Sequence, residues 1–403
     1  MTTRRGLAIG CGGILGFAWT VAALDAVERA LDWDVRDAEV LVGTSAGAEI
    51  VAALGSGRTP TALLAALDAT PDADPVLAGH VAVDPGALPP LPGLGLPGRG
   101  LVAAGLRRGS AYTALAGLLP RGRGDAAWLR AFGHALADPT GWVPHPATWL
   151  VAADAATGER IAFGADNTQP GTPAVSAAHR VPGATAAADR TGGEPRSGAA
   201  STTGSNPGVD RAALDTSAGA QHPASDAAAR AQAQGGAAQV AEGGAGGRGG
   251  GSGRVPAVGL GDAIAASWAI PGWFPPVRIG ERDYVDGGAV SSVSADLLVP
   301  LGLDEVVVVA PMTSAGGEPA TGLDRAERLL RGQMTRGLDR EVALLRAAGT
   351  RVIRVEPSAV DLAVMGPNFM DFRRRAATLE IARRTTPARV AAAIRAAHEG
   401  VDL

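Results

Sequence analysis

Two residues of this chain stand in surroundings that would make them reactive. Ser45 is the centre of Gly43-Thr44-Ser45-Ala46-Gly47, which follows the apolar run Val40-Leu41-Val42. Small residues two before and two after a serine let a strand turn sharply into a helix, with the hydroxyl presented as a nucleophile. The partial positive charge at the start of that helix would favour an alkoxide. The same residues would also serve as a Gly/Ser turn without chemistry. Asp286 ends the run Arg282-Asp283-Tyr284-Val285 and is followed by Gly287 and Gly288, which have no side chain to hold another group away. A carboxylate within hydrogen-bond reach of a serine can take its proton, although Asp-Gly is also a common hairpin turn.

A glycine-rich loop, Gly10-Cys11-Gly12-Gly13-Ile14-Leu15-Gly16, lies ahead of both. As a dinucleotide fingerprint its spacing fails. Counted from Gly10 or Gly12, the third required glycine falls on Leu15 or Phe17, and no acidic residue ends the next strand. Successive glycines before a helix leave backbone N–H groups unshielded, which suits an oxyanion hole. A tight strand-to-helix turn is the alternative use.

A histidine base finds little support. An α/β-hydrolase carries Ser, acid and His in that order, and His398 is late enough to be the third member. It sits, however, in an alanine-rich terminal segment, and only one strand precedes the one leading to Ser45. His80, His134 and His145 fall in poorly patterned stretches, and His179 and His222 in a low-complexity one.

The elements that must position these groups follow from hydrophobic patterning. Strands are expected at 5–9, 38–42, 277–279, 283–285, 305–310 and 352–355, with helices at about 17–31, 48–54, 261–269 and 323–348, and further helices from about 372 and from 387. Strand–loop–helix–strand–elbow–helix implies a parallel sheet with helices on its faces. Between Pro85 and Gly109 the density of Pro and Gly argues against any regular element. That stretch would be an apolar lid or interfacial contact, or a loop packed on the core.

From Gly164 to Pro256 there is no Phe, Trp, Tyr, Ile or Met, and Leu214 is the lone leucine. Such a segment cannot bury enough apolar surface to offset roughly 1–2 kcal/mol of backbone entropy per residue. The expected organisation is a catalytic domain in two parts, 1–163 and 258–403, interrupted by a disordered insertion at 164–257.

Composition narrows the chemistry. The chain of 403 residues carries a net charge of −4. Its basic residues are all arginine, which removes a Walker-type lysine and any Ser–Lys dyad. Without a basic block, nucleic acid is not an expected partner. Cys11 is the single cysteine, so no intrachain disulfide forms, and the scattered histidines offer no zinc spacing. Neither a metal nor a cofactor is expected. Arg4-Arg5 before an uncharged stretch resembles a secretory signal, but its interrupting glycines argue against one. The expected location is cytoplasmic or peripheral at a membrane.

Taken in order, the glycine loop, the Gly-x-Ser-x-Gly elbow and the distal Asp-Gly-Gly resemble the patatin-like phospholipases. So does Ala266-Ser267-Trp268-Ala269-Ile270-Pro271-Gly272-Trp273-Phe274-Pro275-Pro276 ahead of the aspartate. The resemblance implies a three-layer α/β/α hydrolase with a mainly parallel sheet. It implies a Ser45–Asp286 dyad without histidine, supported by Gly10, Gly16, Gly43, Gly47, Gly287 and Gly288. The oxyanion hole would be built from the amides of Gly12 and Gly13, with Cys11 or Leu15. The implied reaction is hydrolysis of lipid or phospholipid esters through an acyl-serine, with transient membrane contact. Cys11 and Leu15 depart from the family's loop, which has glycine and a basic residue there. Two alternatives remain open: a His-dependent esterase, and a catalytically weak lipid-binding protein on the same scaffold. Oligomeric state is not legible.

Overall fold

The computed structural model describes residues 3–91, 98–164, 258–314 and 324–400. These belong to one unit made from Met1–Arg180 and Arg254–Leu403 together. The expected disorder of 164–257 concerns, from 165 onward, residues outside the described ones. The strands are β1 (Arg5–Ile9), β2 (Val40–Thr44), β3 (Thr148–Asp154), β4 (Arg160–Phe163), β5 (Val277–Ile279), β6 (Arg282–Asp286), β7 (Glu305–Val309) and β8 (Arg351–Val355). The helices are α1 (Gly13–Leu31), α2 (Ala46–Gly55), α3 (Pro60–Leu67), α4 (Pro75–Val81), α5 (Arg99–Arg108), α6 (Ala111–Leu118), α7 (Ala127–Leu136), α8 (Leu260–Ser267), α9 (Asp324–Ala347), α10 (Ala359–Met365) and α11 (Arg375–Glu399).

The strands form one sheet in the order β5-β6-β3-β2-β1-β7-β8, with β4 also paired to β3. From β3 to β8 the neighbours run parallel, while β4, β5 and β6 add antiparallel pairs at the other end. The chain is a mixed α/β protein with a mainly parallel sheet, as the sequence implies. Both faces are covered, and alternate residues along each strand enter separate cores. Leu7, Ile9, Leu41, Val307 and Val309 pack with α1, α2, α8 and α11. Ala8, Val40, Val42, Val306 and Val308 face α9 and the 3-10 segment Ala295–Leu301. The sheet is thus the middle of three layers.

Three expectations change. Helix α1 starts at Gly13, four residues early, because Gly16 packs against Pro311 inside the helix and does not break it. The stretch expected to be irregular contains α5. Arg99–Arg108 lies beyond the last proline, and Gly105 lets the backbone approach that of Ala114 on α6. The two terminal helices are one, α11, running through Pro387. An interior proline costs about 3 kcal/mol, and burial of Thr378, Ala382, Thr386, Val390 and Ala393 offsets that cost.

Candidate active site

The pairing of β3 explains how distant segments meet. Ala152 pairs with Ile161 of β4 and with Asp286 of β6, so β4 and β6 lie on opposite edges of β3. Val151 pairs with Ala162 of β4 and with Thr44 of β2. Strands β2 and β6 therefore share one edge of β3, end to end. Thr44 is the last residue of β2 and Asp286 the last of β6, opposite consecutive β3 residues. Ser45 leaves β2 at that junction.

Ser45 has φ 56° and ψ −121°, a left-handed backbone that a residue with a Cβ adopts only under constraint. The constraint is visible. The Ser45 N–H donates to Ser267 Oγ at 2.8 Å, and Ser267 Oγ donates to the Val151 carbonyl at 2.7 Å. A Cβ on Gly43 would lie 2.3 Å from the Gly47 carbonyl oxygen, and one on Gly47 would lie 2.3 Å from that of Ile9. Both glycines are required by close backbone approach, and the start of α2 is thereby pressed against the end of β1.

The Asp286 Oδ1 accepts a hydrogen bond from the Gly288 N–H at 2.7 Å, and the Ser45 hydroxyl neighbours the carboxyl and favours its charged form. Its own N–H is held by the Ala269 carbonyl at 2.9 Å. Ser45 is 1% exposed and Asp286 4%. Burial pushes the Asp286 carboxyl up from 3.8 to about 7, against the opposing pull of the neighbouring Ser45 hydroxyl and the Gly288 N–H. A carboxylate so poised is able to exchange a proton with a serine near neutral pH. Gly287 matters for the approach, since a Cβ there would sit 2.6 Å from the Val151 carbonyl oxygen.

The glycine loop borders this pair, with Gly288 packed against Cys11. Gly10 N–H donates to Val309 and Cys11 N–H to the Ser292 carbonyl, at 2.9 and 2.8 Å. Leu15 N–H donates to the Phe369 carbonyl at 3.1 Å, and the Leu15 side chain is buried with Leu362 and Met365. Cys11 and Leu15 are thereby withdrawn from the expected oxyanion set: their amides are spent on the fold. Gly12 and Gly13 N–H have no backbone acceptor among the described residues. Gly13 takes φ 56°, and Gly12 is pressed between Gly16 and Pro311. Burial pushes the Cys11 thiol up, which keeps it protonated and unreactive.

None of the described histidines bonds to Ser45 or Asp286. His398 is on the exposed end of α11, its Nδ1 donating to the Ile394 carbonyl. His80 is buried against Glu49 and stacked on Phe132, and His145 is tied to the Ala38 carbonyl. His134 is exposed, and His179 and His222 lie outside the described residues.

A family model described as patatin-like phospholipase matches residues 179–299. The match covers less than half of the chain, and over it the chain is similar to the patatin-like phospholipases. That likeness supports a lipid acyl hydrolase in general terms. No curated protein matches it. The matched patatin segment holds α8, β6 and Asp286, and the Ser45 elbow lies before it.

Two parts of this site carry no functional signal in the sequence alone. Ser267 was visible only as a motif residue, yet it ties the elbow to β3. Strand β3 itself went unrecognised, although Thr148-Trp149-Leu150-Val151 is an apolar, β-prone run.

Proposed function

We propose that the chain hydrolyses carboxylic esters of lipids through an acyl-serine intermediate, with Ser45 as nucleophile and Asp286 as its base. The observation that carries this reading is the meeting of the strained-elbow serine with a buried carboxyl titrating at about 7, at the abutting ends of β2 and β6. Ser45 Oγ attacks the ester carbonyl carbon as its proton passes to Asp286. The free amides of Gly12 and Gly13 are the donors for the resulting oxyanion. As the tetrahedral intermediate collapses, Asp286 returns the proton to the departing alcohol. Water then attacks the acyl-serine, giving a proton to Asp286 that finally returns to Ser45 Oγ as the acid leaves. In this reading, 1–163 and 258–403 act as one catalytic domain.

Both reacting groups are buried, so the ester must displace something to enter. Helix α6 lies against Gly287–Ala289, and the α5–α6 pair displays exposed Leu106, Leu115 and Leu118. A membrane surface would engage those leucines and draw the pair aside, which makes the enzyme peripheral to the lipid it consumes. The test uses p-nitrophenyl butyrate: Ser45→Ala and Asp286→Asn each abolish turnover with the fold intact by circular dichroism. Retained turnover in either variant refutes the dyad. Loss of turnover in His398→Ala would move the assignment to a histidine-dependent enzyme.

A further inference from the structure

A cavity of about 120 Å³ opens where the start of α6, the loop Val290–Ser292 and the middle of α9 come together. That is well above the roughly 10–15 Å³ needed to hold one water. Its lining includes Ser110, Tyr112, Ser292, Arg336 and Arg340. Two features of this lining point to an anion.

Arg336 and Arg340 stand one turn apart on α9, both exposed, and neither has an ion pair among the described residues. Like charges at this spacing repel by a few tenths of a kcal/mol, a cost that an anion between them would remove. Their neighbours differ: Arg331 is paired with Glu327, and Arg354 with Asp339 and Glu356. The carboxylates flanking Arg340 in the sequence are likewise engaged. Asp339 is held by Arg354, while Glu341 is bound by Ser291 Oγ, the Ala295 N–H and Arg160.

The cavity adjoins the reacting groups. Val290–Ser292 follow directly from Asp286–Ala289, and the Ser292 carbonyl holds the Cys11 amide. Tyr112, on the cavity wall, packs against the cluster containing Cys11.

We propose that this cavity is a phosphate subsite, in which Arg336 and Arg340 hold the anion. Beside Asp286 it would anchor the phosphate of an ester substrate, so its use in catalysis rests on the reading given above. Free phosphate has the same chemistry and would compete for the place.

The test separates these sources. Inorganic phosphate is titrated calorimetrically into full-length Ser45→Ala, with and without Arg336→Gln plus Arg340→Gln. The active protein, with and without the same pair of substitutions, is assayed on dihexanoyl phosphatidic acid and on dihexanoyl glycerol, which differ in the phosphate group alone. The expected result is a fall of at least tenfold in the ratio of the two rates, with tenfold weaker phosphate binding. A fall in the ratio alone assigns the site to a lipid headgroup, and a fall in binding alone assigns it to free phosphate. An unchanged ratio together with unchanged or absent phosphate binding overturns the proposal. Absence of hydrolysis of both lipids counts against the dyad, and the titration then decides the subsite by itself.

Discussion

Replacing Asp286 by Asn should make the protein more stable at pH 8 than the parent, and not at pH 4. In the folded chain burial raises this carboxyl from 3.8 to about 7. Between those two values the folded state keeps a proton that the unfolded state has released. Stability therefore falls as pH rises through that window and levels off above about 7. Each pKa unit corresponds to about 1.36 kcal/mol, so a rise of about three units places the ceiling near 4 kcal/mol. Asn cannot ionise, and its carbonyl can still accept from the Gly288 N–H, so the variant escapes this loss. At about 2 °C per kcal/mol for a large domain, its melting temperature relative to the parent should climb by roughly 4–8 °C from pH 4 to pH 8. Other titrating groups are common to both proteins and cancel in this double difference. Thermal melts of both proteins at the two pH values measure it. A relative melting temperature that does not change with pH would refute the argument that Asp286 is buried and reluctant to ionise. With Asp286 as the proposed base, the parent's kcat/KM should also fall about tenfold per pH unit below 7, because a base must be unprotonated to act.

Three further outcomes follow from the geometry. Ser45→Gly should abolish ester hydrolysis yet stabilise the fold by about 1 kcal/mol, since glycine accepts φ 56° without strain; denaturant titration beside a kinetic assay checks both. Ser267→Ala leaves the Ser45 N–H and the Val151 carbonyl unpaired, which should cost about 1–3 kcal/mol; kcat should fall as the elbow loosens. Gly47→Ala places a Cβ 2.3 Å from the Ile9 carbonyl, and should destabilise by about 3 kcal/mol or abolish soluble expression.

Local information was strongest where the backbone chemistry is demanding. The glycines at 43 and 47 announce the sharp turn because no Cβ fits there, and β1, α2, β7 and α9 follow from hydrophobic period alone. Local reasoning failed where packing outweighs propensity. Glycine-rich Gly13–Gly16 continues as helix against Pro311, α5 forms against α6, and α11 carries Pro387 through because its buried face secures it. The expected oxyanion set changes for the same reason, since only tertiary contacts reveal that Ser292 and Phe369 take the amides of Cys11 and Leu15.

The amino-acid sequence by itself determined which side chains can react and which local backbone shapes they require, because a Gly-x-Ser-x-Gly turn and an Asp-Gly-Gly end are short-range steric statements. Their meeting was decided by the tertiary structure. Strand β3 gives one edge to both β2 and β6, so two strand ends far apart in the chain abut at Ser45 and Asp286. Burial there raises the carboxyl to about 7. Edge sharing and desolvation are sums over distant contacts, and no window of neighbouring residues contains them.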